Sequence, residues 1–326
     1  MLEVVDPGLL LTLQDRGRPG FAHLGIPPSG ACDAWGLAVA NILAGAPPDG
    51  VALEVTLGGA ELRVVETCTV ALAGADLRAD LDDGRALQPG AVHRVPAGSR
   101  IRFSGSSTGM RAYVGLAGGI AASPVLGSAA TCLQGGLGGI DGRALRPGDL
   151  LAPLRPGDLG AAGRAWPERT APHPAARTDP VRFIPGPDLS QLPPGTVDAL
   201  AAAMWRVGRA SDRMGLRLEG PALAVGTEIL SHPLVPGAIQ LPGDGHPLIL
   251  LVDGPTIGGY PVVGVVPRAE LPRLGQVRPG DPLRLAPQDA ADARAAWREQ
   301  QRLLAAVAAM LHVDALWQRL LENAGG

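Results

Sequence analysis

The chain has 326 residues, 46% of them hydrophobic, and a net charge of −3. That length gives room for about two domains with real cores, and the balanced charge without a basic run excludes a nucleic-acid surface. All 28 basic residues are Arg, so the chain cannot hold a Schiff-base centre, a Walker-A phosphate loop or a biotinylated carrier lysine, each of which needs a Lys amine.

In chain order, residues 2–5 and 9–13 read as short apolar strands around an Asp-Pro-Gly turn. "TLQDRGRPGFAHLGIPPSGACD", 12–33, follows as a polar loop, too rich in Gly and Pro for a helix or a central strand. "DAWGLAVANILAG", 33–45, predicts a helix capped by Asp33 and stopped by Gly45. From 51 to 153 the pattern is strands separated by Gly, Pro and Asp-Gly turns: "VALEVTL", "AELRVV", "CTVALAG", "AVHRVPAG", "RIRFSG", "MRAYVGLAGG" and "GDLLAP". Residues 154–179 carry many Pro and no apolar period, and read as a linker. Strands resume at "VRFIPG". A helix is expected over 196–207 with Thr196 as its cap, then strands at "GLRLEG", "ALAV", "GAIQLPG", "PLILLVDG", "YPVVGVV" and "DPLRLAP". From Ala290 to Leu321 a helix is expected, with a stripe of Trp297, Leu304 and Leu311 widened by Leu303, Val307 and Met310. Its stripe suits packing on its own domain or on a neighbouring chain of an assembly. The expected division is 1–50, a strand-loop-helix segment; 51–153, a first β domain; 154–180, a linker; 181–288, a second β domain; and 289–326, a helical tail.

Three echoes recur in the same order in both halves: "RPGDLLAP" and "RPGDPLRLAP", "TLGGAEL" and "RLEGPAL", "RAYVGLAGGI" and "LILLVDGPTIGGY". Shared order favours two similar all-β domains.

Cys32, Cys68 and Cys132 are far apart and form no CxxC. This speaks against a disulfide framework and for a reducing, cytoplasmic compartment. The acidic start "MLEVVDPG" does not read as a signal peptide, and "PLILLVDG" is too short to span a bilayer. The six His never fall at ligand spacing, so no metal is expected. "GGLGGIDGR", 135–143, reads as a hairpin turn or, without a following Lys and helix, a poor phosphate loop.

The candidate site residues are acids and arginines beside glycines. Asp15 and Arg18 flank Gly17: either an ion pair that stiffens the loop, or a carboxylate base beside an anion binder. Glu54 alternates with Leu53 and Val55. It either faces solvent or, if buried, must be paired or protonated. Ser211, Asp212 and Arg213 lie in a turn, where Ser and Asp suit local capping and Arg213 an oxyanion. Asp253 ends an apolar strand and leads through Thr256, Gly258 and Gly259 to Tyr260, either a site loop or a tight hairpin.

Together, "TLQDRGRPGFAHLGIPPSGACD", "AVANILAG", "ALEVTLGGAEL", "GGIAASPVLGSAAT", "SDRMGLRLEG", "SHPLVPGAIQLPGDGHPLILLVDGPTIGGYP" and "PGDPLRL" resemble the biotin-dependent carboxyltransferase, or allophanate hydrolase subunit 2, family over roughly 3–287. The resemblance implies two tandem cyclophilin-like β-barrel domains. It marks Gln14, Asp15, Gly17, Arg18, Gly30, Asp33, Asn41 and Glu54, and, in the second half, Ser211, Asp212, Arg213, Gly215, Ser231, Gln240, Asp253, Thr256, Gly258, Gly259 and Tyr260. Asp15, Arg18, Glu54 and Asp253 are the candidate catalytic groups. Gln14, Ser211, Asp212, Arg213, Gln240, Thr256, Gly258, Gly259 and Tyr260 are the candidate substrate or phosphate binders. Pro255-Thr256-Ile257 departs from the family's Gln-Thr-Thr, and Cys32 replaces a hydrophobe.

Three functions follow from that resemblance. One is the C subunit of an ATP-dependent 5-oxoprolinase, which opens 5-oxo-L-proline to L-glutamate with two partners: a lactam-cleaving A subunit, and a small cyclophilin-like B subunit (KipI-type). Another is a carboxyltransferase acting on urea or a related amide, with biotin supplied by another polypeptide. The third is a KipA-type regulator that binds a kinase inhibitor without catalysis. The first is the expected function, with ATP as its co-substrate.

Overall fold

The computed structural model describes residues 1–225 and 229–324, the stretch 313–324 as helical backbone only. The chain divides into two compact units. The first combines Met1–Arg16, Ala34–His173 and the segment from Glu299; the second combines Gly17–Asp33 with Pro174–Arg298. The architecture is mainly β.

In the first unit a six-stranded sheet runs Leu150–Leu151, Leu2–Pro7, Ala60–Val64, Arg100–Phe103, Ala79–Leu81, Ala86–Leu87. A five-stranded sheet runs Leu10–Gln14, Ala52–Thr56, Thr108–Leu116, Cys68–Asp76, Ala91–Val95. Alternation sends Leu11, Leu13, Leu53, Val55 and Val114 into one shared core with Leu2, Val4, Leu62 and Ile101. The helix Ala34–Leu43 packs on the five-stranded sheet, closest at Gly115, where a Cβ would lie 2.5 Å from the carbonyl oxygen of Ala40. The helix stops as expected at Gly45 (φ 71°): the N–H of Gly45 bonds Ile42 and that of Ala46 bonds Asn41, a Schellman closure.

In the second unit an eight-stranded sheet begins with Pro282–Leu283 and ends with Leu285–Pro287. These edges are one stretch of chain interrupted only by Arg284, so the sheet nearly closes on itself as a barrel. Trp205, Phe183, Leu216, Ile249 and Val263 fill it, and the Trp205 indole N–H donates to the carbonyl of Leu200 at 3.0 Å.

The repeated "RPGD" is repeated in three dimensions. Each copy is a turn with Gly at i+2, Gly148 and Gly280 both at φ 90°. In each, the Asp carboxylate accepts the Arg N–H at 2.8 Å, Asp149 from Arg146 and Asp281 from Arg278. Each Gly N–H and Asp carbonyl then brackets one strand residue, Val4 in the first unit and Val207 in the second.

Four expectations are corrected. The helix from Thr196 ends at Ala202, and Trp205–Val207 is a strand. Buried Trp205 and Val207 alternate around exposed Arg206, a period of two that ends the helix. Gly195 is the helix cap, while the Thr196 hydroxyl donates to the carbonyl of Pro193. "ALAV", 222–225, is irregular. The tail is a helix, Ala290–Ala324, with Val307 and Leu311 buried, but Met310 is exposed. The Arg268 guanidinium lies 5.2 Å from the ring centre of Trp297.

The stretch expected as a linker is anchored. Val92 N–H bonds the carbonyl of Arg164, Gly163 N–H that of Val92, and Trp166 N–H that of Gly90. Trp166 is buried, edge-on to Trp35 at 6.1 Å.

Glu270, buried in the second unit, receives Arg182 at 2.7 Å, Arg273 at 2.7 Å and Arg177 at 2.9 Å. Burial pushes its carboxyl up, but hydrogen bonds from Arg182 and Arg273 and the charge of Arg177 outweigh this and hold it below the usual carboxylate range. The unfolded chain therefore binds the proton first as pH falls. The stabilisation is complete above the unfolded value, ~4.3, and is lost as pH drops through the lower folded value. Glu270→Gln should cost about 3 kcal/mol at pH 7. The gap between the urea midpoints of the two proteins should be full above the unfolded value, ~4.3, and narrow as pH falls from there through the lower folded value; a gap independent of pH would refute the ionised carboxylate.

Among the described residues no helix is long and apolar enough to cross a membrane, and no group of three His, Cys, Asp or Glu is placed to hold a metal.

Candidate functional site

Each unit holds a buried polar constellation that includes candidate site residues. In the first, antiparallel register places Thr12 opposite Glu54 and Glu54 opposite Tyr113. Directly opposed residues share a sheet face. The three therefore form a row on the face away from the leucine core, and Arg111 and Thr56 form the next row. Glu54 is 0% exposed and Arg111 1%, which removes the solvent-facing reading of Glu54. The Tyr113 hydroxyl donates to Glu54 Oε2 at 2.6 Å, and Arg111 Nε lies 3.6 Å from Glu54 Oε1.

Gln14, one pleat along from Thr12, donates its amide N–H to Thr12 Oγ1 and to the carbonyl of Thr131, both at 3.1 Å. The carbonyl can only accept, so it fixes which end of the amide is nitrogen. Gln14 Oε1 is buried and has no hydrogen-bond partner among the described residues. A buried acceptor left open calls for a donor. Asp15 is buried as well. Its Oδ1 accepts the Ser128 hydroxyl and its Oδ2 the Ala129 N–H, both at 2.6 Å. Thr131 adds its N–H and hydroxyl to the carbonyl of Leu13. Residues 128–131 thus run along the strand Leu10–Gln14 and bring Ser128 and Thr131 to Asp15 and Gln14.

The second constellation fastens the loop 17–33. Arg213 Nε donates to Asp253 Oδ2 at 2.7 Å and one Nη to Oδ1 at 3.3 Å. The same guanidinium reaches the carbonyl of Gly30 at 2.7 Å and Cys32 Sγ at 3.3 Å. Arg213 is 5% exposed and Asp253 4%, so this is a desolvated clamp whose charge is spent on the loop backbone and on Asp253. Gln276 Nε2 donates to Asp33 Oδ2 at 2.6 Å, and Ser29 N–H to the carbonyl of Val252 at 2.9 Å. Arg18 N–H bonds the carbonyl of Pro28, and a Cβ on Gly17 (φ 83°) would sit 2.5 Å from that oxygen. Only glycine permits that closure. Ser29 holds the left-handed conformation (φ 52°) with its hydroxyl buried and without a hydrogen-bond partner among the described residues. A strained, unspent residue of this kind is characteristic of ligand loops.

The other candidates divide between local structure and the loop before Tyr260. Asp212 Oδ1 accepts the N–H of Met214 and Gly215, and Ser211 Oγ that of Arg217, so both shape a turn. Gln240 is buried. Its Nε2 would lie 2.9 Å from a Cβ at Gly258, and a Cβ at Gly259 would meet the carbonyl of Ile229 at 3.0 Å. Thr256 gives its carbonyl to Leu234 N–H, Ile257 and Gly258 pair with Pro233 and His232, and Tyr260 is exposed.

By unit, Gln14, Asp15 and Glu54 belong to the first; Arg18, Ser211 to Arg213, Gln240, Asp253 and the 256–260 loop belong to the second. Reading by residue type and turn missed Arg111, Tyr113, Ser128 and Thr131. "MRAYVGLAGG" reads only as a strand; the signal present in it was a polar pair, Arg111 and Tyr113, at a spacing of two on one face.

In the glycine-rich 135–143, four backbone donors are engaged by neighbouring carbonyls. The N–H groups of Leu137, Gly139, Gly142 and Arg143 are spent on the carbonyls of Cys132, Ala129, Gly138 and Ile140. A Cβ at Gly142 would meet Gly136 backbone at 2.0 Å, so these glycines serve close packing.

Residues 24–287 match the family model described as "Carboxyltransferase domain, subdomain A and B". The chain is 36% identical over 314 residues to the 5-oxoprolinase C subunit of Escherichia coli, covering 96% of this chain and 99% of that protein. It is 33% identical over 308 residues to urea amidolyase of Lachancea kluyveri, covering 87% of this chain but only 17% of that much longer protein. The crystal structure of Kluyveromyces lactis urea carboxylase superposes with a TM-score of 0.82 at 28% identity, over 93% of this chain and 29% of the other.

Proposed function

The chain belongs to the family of carboxyltransferase domains with subdomains A and B, and from that membership we propose that it serves as the C subunit of an ATP-dependent 5-oxoprolinase, cleaving 5-oxo-L-proline to L-glutamate together with the A and B subunits. The observation that carries this reading is the match to essentially the full length of the bacterial 5-oxoprolinase C subunit.

The geometry suits a cyclic amide. Gln14 Oε1, buried and open, accepts the ring N–H, as a site built around an amide requires. Glu54, on the same sheet face as Gln14 and oriented by Tyr113 and Arg111, is the carboxylate that holds or moves a proton. Asp15 is oriented by Ser128 and the Ala129 N–H and supplies a second carboxylate. Arg213 and Asp253 are positioning residues that fix the backbone at Gly30 and Cys32. Amide resonance makes the lactam a poor electrophile; ATP as co-substrate would phosphorylate its oxygen, so that water can add to the ring carbon and the C–N bond break with the nitrogen leaving as the amine, ADP and phosphate being released with glutamate. ATP is taken up by the complex of this chain with its partner subunits.

The test is a reconstituted assay of this chain with candidate A and B subunits, reading glutamate release and ATP hydrolysis. Gln14→Ala should raise the KM for 5-oxoproline by about tenfold, the scale of one lost hydrogen bond to a buried group. ATP-coupled glutamate release that continues without this chain would refute the assignment. The second reading, favoured by the likeness to urea carboxylase, is a carboxyltransferase for urea or a related amide, with biotin on another polypeptide. Biotin-dependent carboxylation in the same reconstituted mixture would select it, and binding of a small KipI-type partner with no turnover would select a regulator.

A further inference from the structure

A cavity of about 430 Å³ lies in the first unit, and none of the residues of that unit's buried polar constellation lines it. The end of the helix Ala34–Leu43, the loop 155–164 and one turn of the C-terminal helix enclose it. Its floor is apolar, with Ile42 and Leu311, and its polar wall carries Arg155, Arg164, His312 and a single acid, Asp158. We propose that this cavity binds a small carboxylate with an apolar body. The proposal stands independently of the function assigned above.

Four observations support it. First, Arg155 has no side-chain hydrogen bond or ion pair among the described residues, so its guanidinium fork is available. Second, its backbone is fixed. The Arg155 N–H bonds the carbonyl of Gly118 at 3.1 Å, and a Cβ at Gly118 (φ 88°) would lie 2.1 Å from the Arg155 carbonyl oxygen. A Cβ at Gly157 would lie 2.6 Å from the Ala117 oxygen. The glycine pair of "GLAGGI" and Gly157 thus seat the loop on the strand end and carry Arg155 to the cavity.

Third, the negative groups nearby are occupied. Asp158 gives Oδ1 to the Gly160 N–H at 2.9 Å and Oδ2 to Arg164 at 3.3 Å. The helix end would oppose an anion through its free carbonyls. Here those of Ala40, Asn41 and Ile42 are taken by the N–H groups of Ala44, Ala46 and Gly45. Fourth, size and lining together select the ligand. The volume falls in the range of small-molecule sites, about 300–1,000 Å³, and is far larger than a bare inorganic anion needs. The apolar floor rewards a hydrocarbon or ring, while the two arginines reward a carboxylate over its amide.

The test is calorimetric titration of the full chain with benzoate, benzamide and inorganic phosphate. Benzoate should bind with one site per chain. Arg155→Gln and Arg164→Gln should each weaken it by about tenfold or more, as expected for loss of a charge-assisted pair. Arg155→Gln should leave the melting temperature unchanged, since the side chain holds no partner among the described residues. Benzamide should give no saturable binding, and phosphate should bind at least about tenfold more weakly than benzoate. No saturable benzoate binding, affinity unchanged in Arg155→Gln, or equal affinity for benzoate and either benzamide or phosphate would overturn the proposal.

Discussion

Replacing Glu54 by Leu is expected to lower stability by about 3–5 kcal/mol, the cost of leaving a buried charge without its counterpart. The physical reason is the burial of the whole cluster. Arg111 is 1% exposed, and Tyr113 donates its hydroxyl to Glu54 at 2.6 Å. Removing the carboxylate takes an opposite charge from beside the guanidinium and an acceptor from a buried hydroxyl at once. Glu54→Gln keeps an acceptor for Tyr113 and should cost less, about 1–2 kcal/mol. These losses are read from urea midpoints. The two variants separate structure from chemistry: in the reconstituted assay Glu54→Gln should fold and yet lose about 100-fold in turnover, the scale of a lost acid–base group. Turnover equal to the parent would leave Glu54 a purely structural residue.

The second large effect is at the Arg213–Asp253 clamp. Arg213→Met should destabilise the chain by about 3–5 kcal/mol, because Asp253 then stays buried without its main partner. The Gly30 carbonyl and the Cys32 sulfur lose a donor in the same step. Arg213→Lys should not restore stability, since a single ammonium cannot reproduce a fork that meets both carboxylate oxygens and a carbonyl. The double variant Arg213→Met/Asp253→Leu should be more stable than Arg213→Met alone, because it removes the orphaned charge together with its partner. Amide hydrogen exchange over residues 29–32 should speed up in Arg213→Met and reports the loosened loop directly. Exchange unchanged there, or additive losses in the double variant, would refute the clamp.

Much of the fold is legible in the sequence because its cues are local. Leu11 and Leu13 alternate with Thr12 and Gln14, and Leu53 and Val55 with Glu54, which is a strand period whatever lies nearby. The two "RPGD" segments make the same turn, since a Pro at i+1, a Gly at i+2 and an Asp that can reach back to the first N–H need only four residues. At 196–207 local cues misled: a helical run of alanines and a strand period meet near Ala202, and pairing of Trp205–Val207 with Gly215–Glu219 decided the boundary. Trp166 looked like part of a Pro-rich linker because its partner Trp35 is distant in sequence.

The candidate site follows the same division. Lack of Lys, and the presence of acids and arginines among glycines, are properties of the sequence alone, and they bound the chemistry without any coordinate. Which of those acids is buried, and what holds it, required the tertiary structure. Glu54 meets Tyr113 across 59 residues, Asp15 meets Ser128 across 113, and Arg213 meets Gly30 across 183. Strand period and turn chemistry are energies of neighbouring residues, so the sequence determines them by itself. Ion pairs over such separations depend on sheet register and loop closure, where a shift of one residue turns every side chain to the other face; only the folded chain decides them.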